Sequence, residues 1–456
     1  MTAAAAGPEP GAAGRRLFGT DGVRGVANRE LTPELALALG RALGGRLEPG
    51  ASVLVGRDTR RSGPMLEAAL AAGLASAGLD VALGGVLPTP AVAELVPELG
   101  ASAGAVISAS HNPFPDNGIK LFGPDGFKLP DADEAAIEDA LGEPGPRPEA
   151  AGVGSIDAWP QARERYVSAL LRRFPVDLAG LSIAVDCAHG ATVVTAPEVL
   201  ERLGARLEVS GARPDGLNIN VGCGSTDLRA LREAVVAGGH HLGLAFDGDG
   251  DRVLAVDAAG AAVDGDQILA ILALDMRDRG TLAGGGVVTT TMTNLGFRRA
   301  MAAAGIEVRW TDVGDRYVLE GMRDGGFVLG GEPSGHLINL GSGPTGDGLA
   351  TALQLLAALV RTGRALAEAA AVVQHLPQRL VTVPVARKAD LAGAEAVWVA
   401  VRACERELGE DGRVVVRASG TEPAVRVMVE APTADTCERL CADIVHAVVE
   451  SLGSVQ

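Results

Sequence analysis

The sequence predicts an α/β protein: three similar mixed-sheet α/β domains followed by a smaller C-terminal α+β domain. Three observations carry this. The chain has 456 residues, more than one hydrophobic core supports, and roughly 150 residues per domain implies about three domains. Short Val/Ile/Leu runs alternate with helical periodicity, the mark of strands joined by crossover helices, and this cadence recurs three times. From about residue 377 the cadence changes.

Residues 1–14 are rich in Ala, Gly and Pro and are expected to form a flexible tail. The first domain is placed at 15–154. Its first helix is signalled by Thr32 as N-cap, Pro33 at the first helical position, and Leu35, Leu39 and Leu43 recurring every fourth residue. The strand SVLVG follows, then a helix opening at Ser62 with Pro64 and running from Met65 to Ala77, the strand VALGGV, a further helix, and the strand AGAVIS. The Gly/Pro-rich stretch GEPGPRPEAAGVG at 142–154 suits a join.

The second domain, 155–260, reads as strand LSIAVDC, a helix near Ala196 to Leu203, strand ARLEVS, helix STDLRALREAVVAGG and strand HLGLAF. The third, 261–376, reads as helix DQILAILALDMRDR, strand GGVVTTT, a helix, strand EVRWT, a helix and strand FVLGG. The last, 377–456, reads as LVTVPV, a long helix, RVVVRASG, AVRVMVE and a closing helix CERLCADIVHAVVESL.

Composition narrows the function classes. Hydrophobic residues make up 47% and charged residues 21%, enough apolar surface for packed cores. Forty Lys and Arg against 57 Asp and Glu give a net charge of −17, which disfavours a nonspecific nucleic-acid binder and requires a locally basic site for any anionic substrate. The five cysteines (Cys187, Cys223, Cys404, Cys437, Cys441) are scattered and odd in number, consistent with reduced thiols. The N-terminal residues lack the pattern of a signal peptide, and apolar runs such as Ala350 to Val360 are too short for a membrane span. A reducing, cytoplasmic setting without membrane or nucleic-acid partners is expected.

Four segments carry chemistry. In VISASHNPFPDNGIKLFGPDGFK a strand ends in a loop containing Ser108, Ser110 and His111 and braced by Pro113 and Pro115, where ligands of open α/β sheets bind; Ser110 is expected to be exposed there. A Ser-His pair alone is equally compatible with hydroxyls that satisfy turn amides. In LGLAFDGDGDRVLAVD, Asp247, Asp249 and Asp251 alternate with glycines, and an extended loop with this spacing puts all three carboxylates on one side. Three like charges so close call for a hard divalent cation. An EF-hand loop is ruled out, because its sixth and twelfth positions would be Arg252 and Ala258. A solvated Asp-Gly turn is the bland alternative.

FVLGGEPSGH offers Glu332, Ser334 and His336, suited to sugar hydroxyls, although as a lone motif it is weak and a Gly-rich turn with an incidental His explains it better. VVVRASGTEPAVRV offers Arg417, Ser419, Thr421 and the amides around Gly420 as an anion-binding nest, against the alternative of a plain surface turn.

In this order the four segments resemble the α-D-phosphohexomutase family: SASHNP phosphoserine loop, DGDGDR metal loop, GEPSGH sugar loop and RASGTEP phosphate loop. The resemblance covers nearly the whole chain past the tail. LFGTDGVRG at 17–25, the long SASHNPFPDNGIKLFG loop, VGDRYV at 313–318 and SGTEPAVRVMVE look most like the bacterial phosphoglucosamine mutase branch. Pro333 stands where that branch usually has Gln, and Gly250 where Ala is common.

The resemblance implies four domains around a central cleft, and interconversion of glucosamine 6-phosphate and glucosamine 1-phosphate through a phosphoserine and a 1,6-bisphosphate, supplying UDP-N-acetylglucosamine and cell-wall synthesis. A phosphoglucomutase or phosphomannomutase with the same mechanism is the alternative. It further implies that Ser110 is the phosphorylated residue, and that one Mg²⁺ per subunit is held by Ser110, Asp247, Asp249 and Asp251. Glu332, Ser334, His336, Arg417, Ser419, Gly420 and Thr421 are implied to bind substrate. Proton transfer is implied for His111, Lys120, Arg252 or His336, and Arg24 is a further residue expected to face the cleft. The partners expected are the sugar phosphate, the bisphosphate intermediate and, as a homodimer, a second copy of the chain.

Overall fold

The computed structural model describes residues 17–19, 21–143, 145–419 and 423–453, so the expected tail and the phosphate-loop positions Gly420 and Thr421 lie outside the described residues. The chain forms two compact units. One runs to Val253 and takes in Ser342–Ala350; the other comprises Leu254–Gly341 and resumes at Thr351.

In the first unit, the helix Pro33–Gly44 is capped as its sequence predicts: Thr32 Oγ1 accepts from Leu35 N–H at 3.2 Å, and Leu39 and Leu43 are buried. It packs on the helix Gly63–Ser76, where a methyl added to Gly40 or Gly73 would run into the facing backbone. The first sheet has seven strands in the order Phe18–Gly19, Gly22–Val26, Asp116–Phe122, Ala103–Ile107, Ser52–Arg57, Asp80–Val86, Ile156–Ala158. The last four run parallel, and the first three are antiparallel additions.

Two details depart from the periodicity. Residues 116–122, read within the long loop, form a strand paired antiparallel with Ala103–Ile107, which carries Lys120 into the interior. Ile156–Ala158, just past the expected join at 154, closes the edge of the first sheet.

A second set of parallel strands, Leu242–Phe246, Ser182–Asp186 and Arg206–Ser210, completes this unit. The helix expected from Ser225 begins at Arg229, because Asp227 adopts an extended backbone and its carboxylate accepts from Arg229 N–H at 3.2 Å.

The second unit contains a four-stranded sheet ordered Glu307–Thr311, Gly286–Thr290, Leu329–Gly331, Leu337–Asn339, the last strand antiparallel. Its three-stranded antiparallel sheet, Gln378–Pro384, Ala424–Glu430 and Arg413–Ala418, shares a core with the helices Glu395–Leu408 and Ala434–Leu452, built on Val383, Val425, Val427, Val401 and Ile444. Among the described residues no helix is long and apolar enough to cross a membrane.

Candidate active site

The strand Ala103–Ile107 is buried throughout, and the chain leaves it through Ser108 into a tight loop. Ser110 sits there at φ 50°, in the left-handed region that a side chain rarely adopts. The expectation that it is exposed is corrected: it is 1% exposed. The reason is a guanidinium the motif reading did not include. Arg60, itself 0% exposed, draws the loop inward by donating to the carbonyls of Ser110, Asn112, Pro113 and Asp116. Asp58 holds Arg60 Nε at 2.8 Å and accepts from Ser108 Oγ at 2.6 Å.

Asp247, Asp249 and Asp251 follow the buried strand Leu242–Phe246. Their carboxylate oxygens lie within 4.8 Å of one another, and all three residues are buried. The convergence does not come from an extended loop. Gly250, at φ +74°, donates its N–H to Asp247 O at 3.2 Å, so a turn gathers the carboxylates. A methyl on Gly250 would lie 2.6 Å from Thr192 Cγ2, so this structure specifically favours glycine there.

Ser110 Oγ donates to Asp247 Oδ2 at 2.5 Å. Thr89, at the start of the helix Thr89–Leu99, donates its hydroxyl to Asp249 Oδ2 at 2.6 Å and its N–H to Asp249 O at 2.8 Å. Burial, and then the charges of Asp251 and Asp249, hold the Asp247 carboxyl well above the usual carboxylate range.

Lys120 is 1% exposed and reaches into this acidic cluster: its Nζ lies 3.0 Å from Asp249, 3.5 Å from Asp251 and 3.2 Å from Asp21. Burial works against its charge, but those three carboxylates outweigh burial and hold the ammonium above its ordinary pKa. Asp21 pairs as well with Lys128 at 2.6 Å and with Arg24, so the segment 21–25 adjoins the cluster. Arg252 donates its N–H to Asp247 at 3.2 Å, and its guanidinium lies 3.6 Å from Asp251. The His111 ring is 3.3 Å from Ser110 Oγ, and burial, then the charges of Arg252 and Arg24, push its pKa down to about 4.

The donor set suits a hard divalent cation. Three carboxylates converge, and Asp249 Oδ1 is buried with no hydrogen-bond partner among the described residues.

The remaining predicted residues lie in the second unit. Glu332 to His336 form a turn after the strand Leu329–Gly331, closed by Gly335 N–H donating to Glu332 O at 3.0 Å. Glu332 Oε1 accepts from Gly314 N–H at 3.2 Å, and His336 Nε2 lies 3.6 Å from Asp315. The VGDRYV segment therefore supports the GEPSGH segment, a pairing the sequence showed only as two separate motifs. Ser334 Oγ is buried without a hydrogen-bond partner among the described residues.

Arg417 stands directly opposite Arg426 across antiparallel strands. Burial, then the charge of Arg426, lowers its guanidinium pKa, a local field that favours an anion. Ser419 O accepts from Lys388 Nζ at 2.8 Å.

Asp58, Arg60, Thr89 and Asn220 were missed by motif reading. GRDTR at 56–60 does end a parallel strand, the same position that marked the Ser110 loop, and that signal could have found Arg60.

Sequence models of phosphoglucomutase/phosphomannomutase domains match in order: alpha/beta/alpha domain I at 15–145, domain II at 164–260, domain III at 264–376 and the C-terminal domain at 380–447. A phosphoglucosamine mutase of Mycolicibacterium paratuberculosis is 53% identical over 438 residues, 95% of this chain and 99% of that protein. A crystal structure of a phosphoglucomutase/phosphomannomutase family protein from Burkholderia thailandensis superposes with a TM-score of 0.81 at 24% identity, covering 95% of this chain and 97% of that one. The Aspergillus fumigatus N-acetylphosphoglucosamine mutase, solved with GlcNAc-6P and magnesium, gives 0.68 at 19% identity, covering 96% of each chain. Matched along its length by all four domain models and by a relative sharing half its residues, the chain belongs to the phosphoglucomutase/phosphomannomutase family.

Proposed function

We propose that this chain is a phosphosugar mutase that interconverts glucosamine 6-phosphate and glucosamine 1-phosphate, with Ser110 carrying the phosphoryl group. The observation that supports this most is Ser110 Oγ at 2.5 Å from Asp247 within a buried cluster of three carboxylates. The 53% identical relative, named phosphoglucosamine mutase, supports the amino-sugar substrate.

In the first half-reaction the free hydroxyl of the sugar monophosphate attacks the phosphorus of phosphoserine and gives its proton to a base, while the bond to Ser110 Oγ breaks and that oxygen takes up a proton to become the serine hydroxyl again. The resulting 1,6-bisphosphate turns over, and its other phosphate returns to Ser110. His111 lies 3.3 Å from Ser110 Oγ, within reach of a proton exchanged with that oxygen, while burial and the charges of Arg252 and Arg24 keep it a weak base. Lys120 supplies fixed positive charge beside the reacting group. Mg²⁺ held by Asp247, Asp249, Asp251 and a phosphoserine oxygen would neutralise the charge that develops on that oxygen as the phosphoryl group leaves. Glu332, Ser334 and His336 bind sugar hydroxyls, and Arg417 with the loop at 419–421 holds the phosphate that is not reacting. The reaction is placed in the cytoplasm, where the reduced cysteines fit.

The test is an Mg²⁺-dependent isomerisation assay with Ser110-phosphorylated enzyme on glucosamine, glucose and mannose 6-phosphates, with Ser110→Ala as control. Preference for glucosamine 6-phosphate, lost in the variant, is the expected result. Preference for a neutral sugar would move the substrate to the phosphoglucomutase or phosphomannomutase class, and full activity of Ser110→Ala would overturn the mechanism.

A further inference from the structure

The carbonyl oxygens of Ser110 and Asn112 each accept hydrogen bonds from the same two distant side chains. Arg60 Nη2 donates to both at 2.8 Å. Asn220 Nδ2 donates to Ser110 O at 2.9 Å and to Asn112 O at 3.2 Å. Arg60 Nη1 adds the carbonyls of Pro113 at 2.6 Å and Asp116 at 3.1 Å, so one guanidinium holds four carbonyls of the loop. Arg60 follows the strand Ser52–Arg57 of one sheet, whereas Asn220 lies in a loop tied to the other by its N–H, which donates to Ala188 O at 2.9 Å.

Taking a guanidinium wholly out of water is costly unless every donor is used. Here its Nε is paired with Asp58 at 2.8 Å and its other donors point at the loop that carries Ser110. The backbone of that serine needs holding. At φ 50° it occupies a sparsely populated conformation that persists only where surrounding contacts impose it. A carbonyl is rigidly attached to its peptide plane, so gripping the Ser110 oxygen fixes the plane that follows the Ser110 Cα, and gripping the Asn112 oxygen holds the loop two residues further on.

We propose that Arg60 and Asn220 are positioning residues for phosphoryl transfer: together they clamp the carbonyls of Ser110 and Asn112 and so hold Ser110 Oγ against the carboxylate cluster. This inference rests on the reading of Ser110 as the phosphate carrier. Neither side chain touches the reacting atoms in this account; each acts through the serine backbone.

Two variants test it. Asn220→Gly keeps the φ of 61° accessible while removing the amide donor. Arg60→Lys keeps a positive charge beside Asp58 but lacks the planar fork. For each, kcat and KM are measured with fully Ser110-phosphorylated enzyme, loss of phosphoserine to water is followed by ³¹P NMR, and folding is checked by thermal melting.

The expected result is a fall in kcat of about tenfold or more in Asn220→Gly and about 100-fold in Arg60→Lys, with KM changed by less than about threefold. Because both side chains grip the same two oxygens, the double variant should lose less than the product of the single losses. A lowered melting temperature with kcat within about twofold of the parent in Asn220→Gly would assign the clamp to stability alone and overturn the proposal. If Arg60→Lys does not fold, Asn220→Gly decides the matter. Failure of the underlying reading is seen separately, as turnover retained in Ser110→Ala.

Discussion

Ser110 Oγ donates its proton to Asp247 Oδ2 across 2.5 Å, joining two positions 137 residues apart in the chain. Phosphorylation removes that proton and sets a dianion against a cluster of three buried carboxylates. Such a cluster is tolerable only with added positive charge, so phosphorylation and cation binding must favour one another. Isothermal titration of Mg²⁺ into phosphorylated and dephosphorylated protein should show at least about tenfold tighter binding to the phosphorylated form. Equal affinities would mean that the serine oxygen is remote from the cation.

Lys120 balances Asp21, Asp249 and Asp251 from within the interior. Replacing it by Met leaves those carboxylates with a missing partner, a loss of about 3–5 kcal/mol for a buried charge, together with loss of turnover. Because Mg²⁺ would neutralise two of these carboxylates, Asp249 and Asp251, it should restore part of the lost melting temperature but not the activity. Scanning fluorimetry with EDTA and with excess Mg²⁺ measures this; an Mg²⁺-independent gap between variant and parent would contradict it.

Asp266 is 1% exposed, and burial, reinforced by the charge of Asp264 and opposed by the N–H of Asn294, pushes its carboxyl up to about 7. An unfolded Asp ionises near pH ~4, so between there and about 7 the unfolded state has released a proton that the folded state keeps. The stability tied to Asp266 is therefore full at acid pH and is lost as pH rises through about 7. Melting curves of Asp266→Asn and the parent at about pH 5 and about pH 8 should show the variant gaining on the parent by several degrees at the higher pH. A difference that does not change with pH would place this carboxyl in the ordinary range.

Arg417 and Arg426 face one another across the strand pair, a like-charge arrangement that a bound anion would relieve. Arg426→Ala should raise KM for the sugar phosphate by about tenfold with little change in kcat. An unchanged KM would remove Arg426 from the phosphate site.

The sequence by itself determined the α/β class and marked Ser110, the three aspartates and the GEPSGH segment as candidates. Those features are local. Apolar period, helix caps such as Thr32 and Gly-rich turns act over a few neighbours, so the residues that encode them can be read in one window. What only the tertiary structure decided is how the serine is held: its burial, its left-handed backbone, the turn that gathers the aspartates, and the supporting Asp58, Arg60, Thr89 and Asn220. Arg60 meets Ser110 across 50 residues, Asn220 meets it across 110, and Thr89 meets Asp249 across 160. No periodicity links positions so far apart. They meet because a buried charge or carbonyl must find its partner wherever packing of the sheets places one, and that requirement is met only in the folded chain.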